Sequence, residues 1–328
     1  MEKIIYDLNE NECMQLLEKV RWKNGVFCPH CKSKKNIVKN GHVNAYQNYI
    51  CKNCNHSFTV RTGTVFSHSK IPLKRWFIAV ISLDKCSIMN IAEKLGLYYH
   101  TAYNLVKKIR KSVFLKEMME KLSGEIVLKI EIDEMYITAG EKGNKNLDRE
   151  PRKRGLKAPP GRGTFEKDKP AIIVITERKH GKTKFFVPLH LNGKYIVDIF
   201  QNHIEGNIIV YHDDYPIYNC LNGICPHFAI NHSNGEYADG DICTNNAENR
   251  FSLLRPFLQN YRGISKYNLQ EYATLCQFFF NERRETHDPM NILMTFLEYI
   301  FFDFFHSHIF AKIFGNFSTF FQKSYEKN

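Results

Sequence analysis

Two cysteine knuckles constrain the fold of this chain more than any other feature of its sequence. Cys28-Pro29-His30-Cys31 and Cys51-Lys52-Asn53-Cys54 are separated by nineteen residues. Each knuckle presents two thiolates from a tight turn, and four thiolates form the tetrahedral shell that structural Zn²⁺ prefers. Between the knuckles the sequence predicts a β-hairpin over 36–49 with its turn at Asn40-Gly41. The spacing therefore predicts a zinc ribbon over residues 10–62, in which one zinc ion is bound by Cys28, Cys31, Cys51 and Cys54.

Two other interpretations of the knuckles are paired disulfides and a redox-active CxxC. The chain starts with the charged residues Met1-Glu2-Lys3 and shows no secretory signal, so we expect a protein that is not secreted and keeps its thiols reduced. Reduced thiols favour the zinc site. The remaining six of the ten cysteines show no matching pair and are expected to be buried thiols. These are Cys13, Cys86, Cys220, Cys225, Cys243 and Cys276.

Charge is distributed unevenly along the 328 residues. The formal net charge is +12, yet residues 21–116 hold eighteen Lys or Arg against two acids, a local net of +16. The remainder carries −4. Basic side chains neutralise phosphates and supply most of the sequence-independent affinity for DNA. The asymmetry predicts that the N-terminal part of the chain binds DNA and that the remainder forms a domain with another role. A basic surface that only keeps the protein soluble is the alternative.

Three short helices are predicted directly after the knuckles. Their ranges are 72–83, 87–95 and 99–113, with Gly96 in the turn between the last two. Ser87 is placed to cap the second helix, whose apolar residues recur at helical spacing. This arrangement predicts a helix-turn-helix over residues 70–116. Plain structural packing of three helices is the alternative.

The third predicted helix carries the residue types that contact DNA. Small polar and aromatic side chains at its start suit base edges, and cations further along suit phosphates. The residues predicted to contact base edges are Tyr99, His100, Thr101 and Asn104. Those predicted to contact phosphates are Lys107, Lys108, Arg110 and Lys111.

From residue 124 to residue 285 strands alternate with helices, which predicts an α/β domain. Strands are predicted near 126–137, 171–177, 183–189, 207–212 and 226–231, and helices near 192–203, 215–222, 244–260 and 266–284. Residues 140–170, between the first two strands, are rich in Gly, Pro, Lys and Arg and cannot pack a core. This basic insert is either an ordinary solvated loop or an arm that orders on DNA.

Three carboxylates stand where predicted elements begin or end. Asp133 and Asp213 close apolar runs, and Glu248 opens a helix-like stretch. Acids in such places can converge on one point and hold two Mg²⁺ ions for phosphoryl transfer on nucleic acid. Surface carboxylates are the alternative. Glu134 and Asp214 leave the assignment open by one position, although only one of each adjacent pair is expected to face the site.

Several ordered motifs extend over roughly residues 10–285. They are the two knuckles; Asn90-Ile91-Ala92-Glu93-Lys94-Leu95-Gly96 with Thr101-Ala102-Tyr103 and Ile109-Arg110; Ile132-Asp133-Glu134-Met135-Tyr136-Ile137; the basic insert; His232-Ser233 with Thr244-Asn245-Asn246-Ala247-Glu248; Ser252-Leu253-Leu254-Arg255; and Phe280-Asn281-Glu282-Arg283. In this order the chain resembles the DDE transposases of bacterial and archaeal insertion sequences that carry an N-terminal zinc ribbon. It also resembles their eukaryotic relatives in the Merlin superfamily.

The resemblance implies an RNase H-like catalytic domain, with a mixed five-stranded sheet and helices on both faces. Asp133 on the first strand, Asp213 after the fourth and Glu248 on the helix after the fifth are implied to hold two Mg²⁺ or Mn²⁺ ions. Arg255 replaces the family's usual Lys and is implied to hold phosphate. Asn245 and His232 are implied to lie near the helix that carries Glu248 and are weaker candidates for the site. The implied function is cut-and-paste transposition by a homo-oligomer that binds the element's terminal inverted repeats and transfers its strands into double-stranded target DNA.

Four positions depart from the family pattern, namely His212, Cys243, Phe251 and Arg255. None removes an implied metal ligand, but they leave open a degraded copy or a domesticated protein that binds DNA without moving it. A zinc-ribbon DNA-binding regulator and a structure-selective nuclease are the competing classes. The expected compartment is the cytoplasm or nucleoid of a prokaryote, or the nucleus of a eukaryote.

The tail, residues 286–328, is rich in phenylalanine, with ten between residues 291 and 321. Charged and histidine residues interrupt every apolar run before it reaches bilayer length, so we expect no membrane span. An added helix that packs on the catalytic domain or on a second subunit is one expectation. A sequence altered by decay of the element is another.

Overall fold

The computed structural model describes residues 2–142, 161–230, 244–261 and 263–301. The chain divides into two compact units: the first comprises Met1–Lys116 with a later segment that starts at Glu285, and the second runs from Glu117 to Arg284. This division does not separate the ribbon from the helices that follow it, so the predicted domain boundaries stay predictions. His232, Cys243, residues 143–160 of the basic insert and the tail after residue 301 lie outside the described residues.

Helices and strands follow one another in the predicted order. The helices are α1 (Glu2–Asp7), α2 (Glu10–Arg21), α3 (Leu73–Ser82), α4 (Ile88–Leu95), α5 (Tyr99–Met119), α6 (Gly193–His203), α7 (Asn245–Asn260), α8 (Leu269–Glu285) and α9 (Pro289–Phe301). The strands are β1 (Ile37–Val43), β2 (Tyr46–Cys51), β3 (Ser57–Phe58), β4 (Leu122–Tyr136), β5 (Ala171–Glu177), β6 (Thr183–Phe186), β7 (Ile204–Asp213) and β8 (His227–Ile230). Short 3-10 helices cover Pro216–Leu221 and Lys266–Asn268.

The ribbon sheet consists of β1, β2 and β3 in that order. β1 and β2 form an antiparallel hairpin that closes with Val43 opposite Tyr46. The chain therefore turns at Asn44, which adopts a φ of 54°. The predicted turn at Asn40-Gly41 is wrong, because the pairing register shifts at that point in a bulge and Gly41 takes a φ of 64°. Asn-Gly suits a bulge as well as a turn, since both need positive φ.

The three helices predicted after the ribbon are confirmed as α3, α4 and α5. The Ser87 side chain caps α4 by accepting a hydrogen bond from the backbone N–H of Asn90 at 3.2 Å. Gly96 ends α4 in the left-handed conformation, with a φ of 59°. α5 continues beyond its predicted end because Phe114 and Met118 extend its buried face. The segments thus have the lengths and the turn that a helix-turn-helix needs.

The first helix of the phenylalanine-rich tail, α9, packs in the first unit against α1, α2 and α3. Phe296 and Leu297 are fully buried, and Lys23 Nζ lies 3.3 Å from Glu298 Oε1. The expectation that this helix packs on the catalytic domain is wrong, because its apolar face is covered by the N-terminal helices. Within the described ranges, no helix is long and apolar enough to cross a bilayer.

The second unit contains a five-stranded sheet in the order β6-β5-β4-β7-β8. β4 pairs antiparallel with β5, and β5 with β6, whereas β4 pairs parallel with β7, and β7 with β8. Counted within the sheet, the strand order is 3-2-1-4-5. The mixed sheet and the fold class expected from the resemblance are confirmed. The helix predicted over 215–222 is a 3-10 helix instead, and β6 ends at Phe186, earlier than predicted.

This sheet determines where the predicted acids lie. The parallel register of β4 and β7 places Glu131 opposite Tyr211, and two residues further along it places Asp133 beside Asp213. α7, which carries Glu248, packs against β4 and β5. Three acids that are distant in sequence are therefore carried by elements that contact one another.

Candidate metal centres

The four knuckle cysteines come together in the first unit. Their Sγ atoms all lie within 4.8 Å of one another. The Cys28–Cys54 distance is 3.6 Å and the Cys31–Cys51 distance is 3.5 Å. A tetrahedral shell with Zn–S bonds of about 2.3 Å separates its sulfurs by about 3.8 Å, whereas a disulfide bond is about 2.05 Å long. The geometry therefore fits a bound Zn²⁺ and excludes the disulfide interpretation.

Both knuckles use the same backbone turn. Lys32 N donates to Cys28 O at 2.9 Å, and Asn55 N donates to Cys51 O at 2.8 Å. The residue after each second cysteine is left-handed, with a φ of 61° at Lys32 and of 58° at Asn55. Cys28 and Cys51 pack with Phe58 in one apolar cluster, which holds the two turns against each other. The repeated turn directs two thiolates from each knuckle to one point.

Carboxylates from two strands form a second group, in the second unit. One oxygen each from Asp133, Glu134 and Asp213 lies within 4.8 Å of the others. Asp133 is near the end of β4, and Asp213 is the last residue of β7. Oxygen donors of this kind and number suit the hard cations Mg²⁺ and Mn²⁺. We therefore regard these acids as a candidate site for divalent cations.

The expectation that Glu134 faces away from this site is wrong. Its Oε2 accepts a hydrogen bond from Tyr218 OH at 2.8 Å, and its Oε1 lies 3.6 Å from Arg162 Nε. Its backbone N–H donates to Asp133 Oδ1 at 2.7 Å. Alternation along a strand sets only the direction of Cβ. The longer glutamate side chain lets its two partners hold the carboxylate beside Asp213.

An open cavity of about 750 Å³ contains the other two predicted residues. Glu248 and Arg255 line it together with Asp133 and Glu134. Glu248 lies in the first turn of α7, and Arg255 lies two turns further along the same helix. Asp214 is exposed and, among the described residues, lies outside the carboxylate group, in agreement with the expectation that it faces away. The structure thus brings all the predicted catalytic residues to one region of the second unit.

Burial and like charge raise the pKa of two of these acids. Burial is the main cause that raises the pKa of Asp133 to about 8, and the charges of Glu134, Asp213 and Glu248 add to it. The pKa of Glu134 is raised to about 7, again mainly by burial, although the hydrogen bond from Tyr218 opposes the shift. A bound divalent cation stabilises ionised carboxylates. The electrostatics therefore fit a cation site.

Two cations from the end of the basic insert line the same cavity, namely Arg162 and Lys169. The Arg162 guanidinium lies 3.5 Å from the ring centroid of Tyr215, so its position is defined by a cation–π contact as well as by Glu134. Positive side chains beside a carboxylate group suit a phosphate backbone. This arrangement favours an arm that acts at the site over an ordinary solvated loop.

A buried lysine joins the two ends of the basic insert. Lys266 Nζ lies 3.2 Å from Glu141 Oε1 and 3.1 Å from Asp168 Oδ1, and it donates to Phe165 O at 3.0 Å. Glu141 precedes residues 143–160, while Phe165 and Asp168 follow them. The base of the insert is therefore fixed to the segment that leads into α8.

An exposed stripe on α5 contains three of the residues predicted to contact DNA. His100, Asn104 and Lys108 are exposed and follow one another at spacings of four, which places them on one face of the helix. Tyr99 is 48% exposed. The half-buried members of the predicted set are Thr101, Lys107 and Lys111.

The prediction that Arg110 contacts a phosphate is wrong. Its residue is only 1% exposed. It stands four positions after Val106 and three before Val113, and both valines are fully buried. Helical spacing thus puts Arg110 on the apolar face of α5, whereas its place in a run of cations suggested the opposite.

Three residues that contact the candidate cation site or the elements around it were not identified from the sequence. Tyr218 is buried, and its hydroxyl donates a hydrogen bond to Glu134. Burial raises the pKa of Tyr218 above its usual range, so the hydroxyl stays protonated and donates. Glu131 and Arg178 form an ion pair at 2.8 Å. The available signal was an acid between two apolar residues, Ile130 and Ile132, on a buried strand.

Comparison with known proteins identifies related sequences for most of the chain. Residues 121–281 match the family described as ISXO2-like transposase domain, and residues 8–57 match the transposase zinc-ribbon domain. A protein of Halobacterium salinarum, described as an uncharacterized protein in transposable element ISH50, is 32% identical over 275 residues. That alignment covers 82% of this chain and 90% of the relative.

Solved structures of Mos1 complexes are also similar in part. The crystal structure of the Mos1 strand transfer complex is 11% identical, covers 67% of this chain and 78% of that one, and gives a TM-score of 0.21. The mariner Mos1 paired-end complex with Mg is 11% identical, covers 72% and 79%, and gives a TM-score of 0.23. TM-scores this low do not establish a shared fold.

We expect Cys51→Ser to remove zinc from the protein and to unfold the ribbon, because a four-thiolate site that loses one ligand loses most of the metal's contribution to folding. Zinc content of the purified full chain and hydrogen exchange of the hairpin measure the two effects. Cys86→Ser is the matched control, since Cys86 is a half-buried free thiol outside the knuckles. Full zinc content in Cys51→Ser would contradict the site.

Asp133→Asn is expected to stabilise the metal-free protein increasingly as pH rises. The folded-state pKa of Asp133 is about 8, above its ordinary value of 3.8, so the folded protein holds a proton that the unfolded chain releases. Stability therefore falls as pH rises from about 4 to about 8. The gain in melting temperature on substitution, measured in EDTA, should grow over this window and level off above it. A gain that is constant with pH would contradict this origin.

Proposed function

Because the chain belongs to the ISXO2-like transposase family, we propose that it moves a DNA element by metal-dependent strand cleavage and strand transfer at the element's ends. The observation that carries this proposal is the carboxylate group of the second unit. Asp133 and Asp213 lie together in it, and Glu248 lines the adjoining cavity. The chemistry that follows is phosphoryl transfer on double-stranded DNA.

In the proposed mechanism, Asp133, Asp213 and Glu248 would hold two Mg²⁺ or Mn²⁺ ions. Such ions, when bound, supply the Lewis acidity that activates water for cleavage and then the 3′-hydroxyl for attack on target DNA. The three carboxylates would supply the negative charge that holds the cations, and Arg255 would hold a phosphate of the substrate on the same side of α7. Glu134 adds a further carboxylate oxygen to the group, and Tyr218 orients it.

The substrate backbone is held, in this proposal, by the cationic side chains of the cavity. Arg162, Lys169 and Arg255 line it beside the acids. Phosphate contacts from such residues fix the position of a duplex without reading its sequence. The scissile phosphate is thereby placed against the carboxylate group, and the protein needs no covalent nucleophile for an in-line displacement.

Recognition of the element's terminal inverted repeats is assigned to the first unit. The α3–α5 segment has the lengths and the left-handed Gly96 turn of a helix-turn-helix, and α5 exposes His100, Asn104 and Lys108 on one face. Zn²⁺ held by the four knuckle cysteines stabilises the ribbon that precedes these helices. Because two element ends must be cut and joined, we propose that the protein acts on DNA as a homo-oligomer.

The proposal predicts that Asp133→Asn, Asp213→Asn and Glu248→Gln each abolish strand cleavage, by about 100-fold or more, and leave end binding intact. An amide keeps the shape of the side chain but loses the charge that holds a hard cation. The measurement is cleavage and joining of labelled DNA that carries the element's own flanking repeats, with Mg²⁺. Asp214→Asn is the control, because Asp214 is the neighbour of Asp213 and lies outside the carboxylate group.

The same assay separates the competing classes. Specific binding to the repeats without any cleavage indicates a regulator or a domesticated protein. Cleavage that ignores the repeats and is not followed by joining indicates a structure-selective nuclease. Undiminished cleavage by all three substituted proteins overturns the proposed mechanism.

For end recognition, we expect Asn104→Ala to weaken binding to the repeats by about 1–3 kcal/mol and to leave non-specific binding nearly unchanged, because an amide contact with a base edge is lost. Lys108→Ala is expected to weaken both kinds of binding and to reduce the dependence on salt, because a phosphate contact is lost. Fluorescence anisotropy with specific and scrambled duplexes at several salt concentrations measures this difference. Equal effects of the two changes would contradict recognition through the major groove.

A further inference from the structure

One buried ion pair contacts all three elements that carry the proposed metal ligands. Glu131 of β4 is fully buried, and its Oε1 lies 2.8 Å from Arg178 Nε. Glu131 is two residues before Asp133, so both side chains leave the same face of β4. The pair is outside the carboxylate group itself, and the proposed reaction assigns it no role.

On the α7 side, Glu131 acts as a helix cap that comes from another element. Its Oε2 accepts from the backbone N–H groups of Asn246 at 2.8 Å and of Ala247 at 3.1 Å, and its Oε1 accepts from Asn246 Nδ2 at 2.8 Å. Thr244, at the usual cap position, makes no side-chain capping bond. The open N–H groups at a helix start need such an acceptor, and the helix dipole favours an anion there. Glu248 follows immediately after Ala247.

On the β7 side, the contact is made by Arg178. Its guanidinium carbon lies 3.7 Å from the ring centroid of Tyr211 on β7. Its backbone N–H donates to Lys129 O on β4 at 3.0 Å, so Arg178 contacts both strands. Tyr211 is two residues before Asp213 and leaves the same face of β7. Asp133 thus stands two residues after Glu131 itself, whereas Asp213 and Glu248 stand two residues and one residue after residues that the ion pair contacts.

We propose that Glu131 and Arg178 are positioning residues, which fix the first turn of α7 against the ends of β4 and β7 and so set the separation of Asp133, Asp213 and Glu248. This inference rests on the proposed function for the role of those three acids. Its physical basis is independent of that function. A buried carboxylate with at least four donors at 2.8–3.1 Å has little freedom to move, and it therefore restricts the position of the helix that it caps.

The test uses the full chain and begins without metal. Glu131→Gln keeps the size of the side chain but removes the charge, so we expect the amides of residues 244–251 to exchange with deuterium about tenfold faster in EDTA. Mn²⁺ affinity, followed by electron paramagnetic resonance, is expected to fall by about 10- to 100-fold, with end binding unchanged. Glu177→Gln is the matched control, because Glu177 is also buried but accepts from Lys179 N and His180 N in a turn.

A double variant separates positioning from simple charge balance. Glu131→Gln with Arg178→Met removes both charges, so a role limited to neutralising Arg178 predicts that exchange and Mn²⁺ affinity return to those of the unmodified protein. Positioning predicts that both stay impaired, because the capping acceptor and the contact with Tyr211 are both altered. Restoration in the double variant overturns the inference, and so does a Glu131→Gln protein that behaves like the Glu177→Gln control.

Two further outcomes remain decisive. If Glu131→Gln does not fold, Asn246→Ala replaces it, because Asn246 is exposed and the loss of its side chain removes a single hydrogen bond to Glu131. A smaller change in the same direction supports positioning, and exchange identical to that of the unmodified protein opposes it. The unmodified protein could neither bind Mn²⁺ nor cleave DNA, while Glu131→Gln still exchanges the amides of residues 244–251 faster. In that case the proposed function is wrong, but the inference that Glu131 fixes the first turn of α7 is supported.

Discussion

The parallel pairing of β4 with β7 is the contact on which the candidate cation site of the second unit depends. The paired residues are about eighty positions apart, so the pairing closes a long loop at a cost in conformational entropy. Fully buried side chains such as Ile130 and Val210 offset that cost by burial of apolar surface. The register that these side chains impose also sets Asp133 beside Asp213. The position of the acids is therefore determined by the same packing that stabilises the sheet.

Bringing acids together inside a folded unit is electrostatically unfavourable, and the surroundings reduce that cost locally. Tyr218 donates to Glu134, and Arg162 stands on its other side. At Asp133, burial and the charges of Glu134, Asp213 and Glu248 raise the pKa to about 8. The region is therefore less stable in its fully ionised form than a neutral version would be. Such a trade of stability for charge is expected where a divalent cation is to be bound.

Local signals in the sequence predicted much of this architecture. The predictions failed where the position of a side chain is set by residues that are distant in the sequence. The knuckles, the Ser87 cap and the strand-end acids were found because spacing and residue type specify them directly. The position of Glu134 depends on Tyr218, a residue far along the chain, and strand alternation alone gave the opposite answer. Arg110 was assigned to the exposed face because it stands in a run of cations, although its spacing from Val106 and Val113 places it on the buried face of α5. Glu131 went unnoticed because its partners, Arg178 and the first residues of α7, are far from it in the sequence.

The base of the basic insert shows how a costly interaction can be retained for its geometry. Lys266 is only 3% exposed, and moving an ammonium group out of water costs several kcal/mol unless it is well paired. Here two carboxylates, a carbonyl oxygen and the ring face of Phe165 surround it. An apolar residue would fill the same space at lower cost, but it would not hold Glu141 and Asp168 at a fixed separation. Because Asp168 is adjacent to Lys169, the fixed position of Asp168 also places the Lys169 side chain in the cavity beside Asp133.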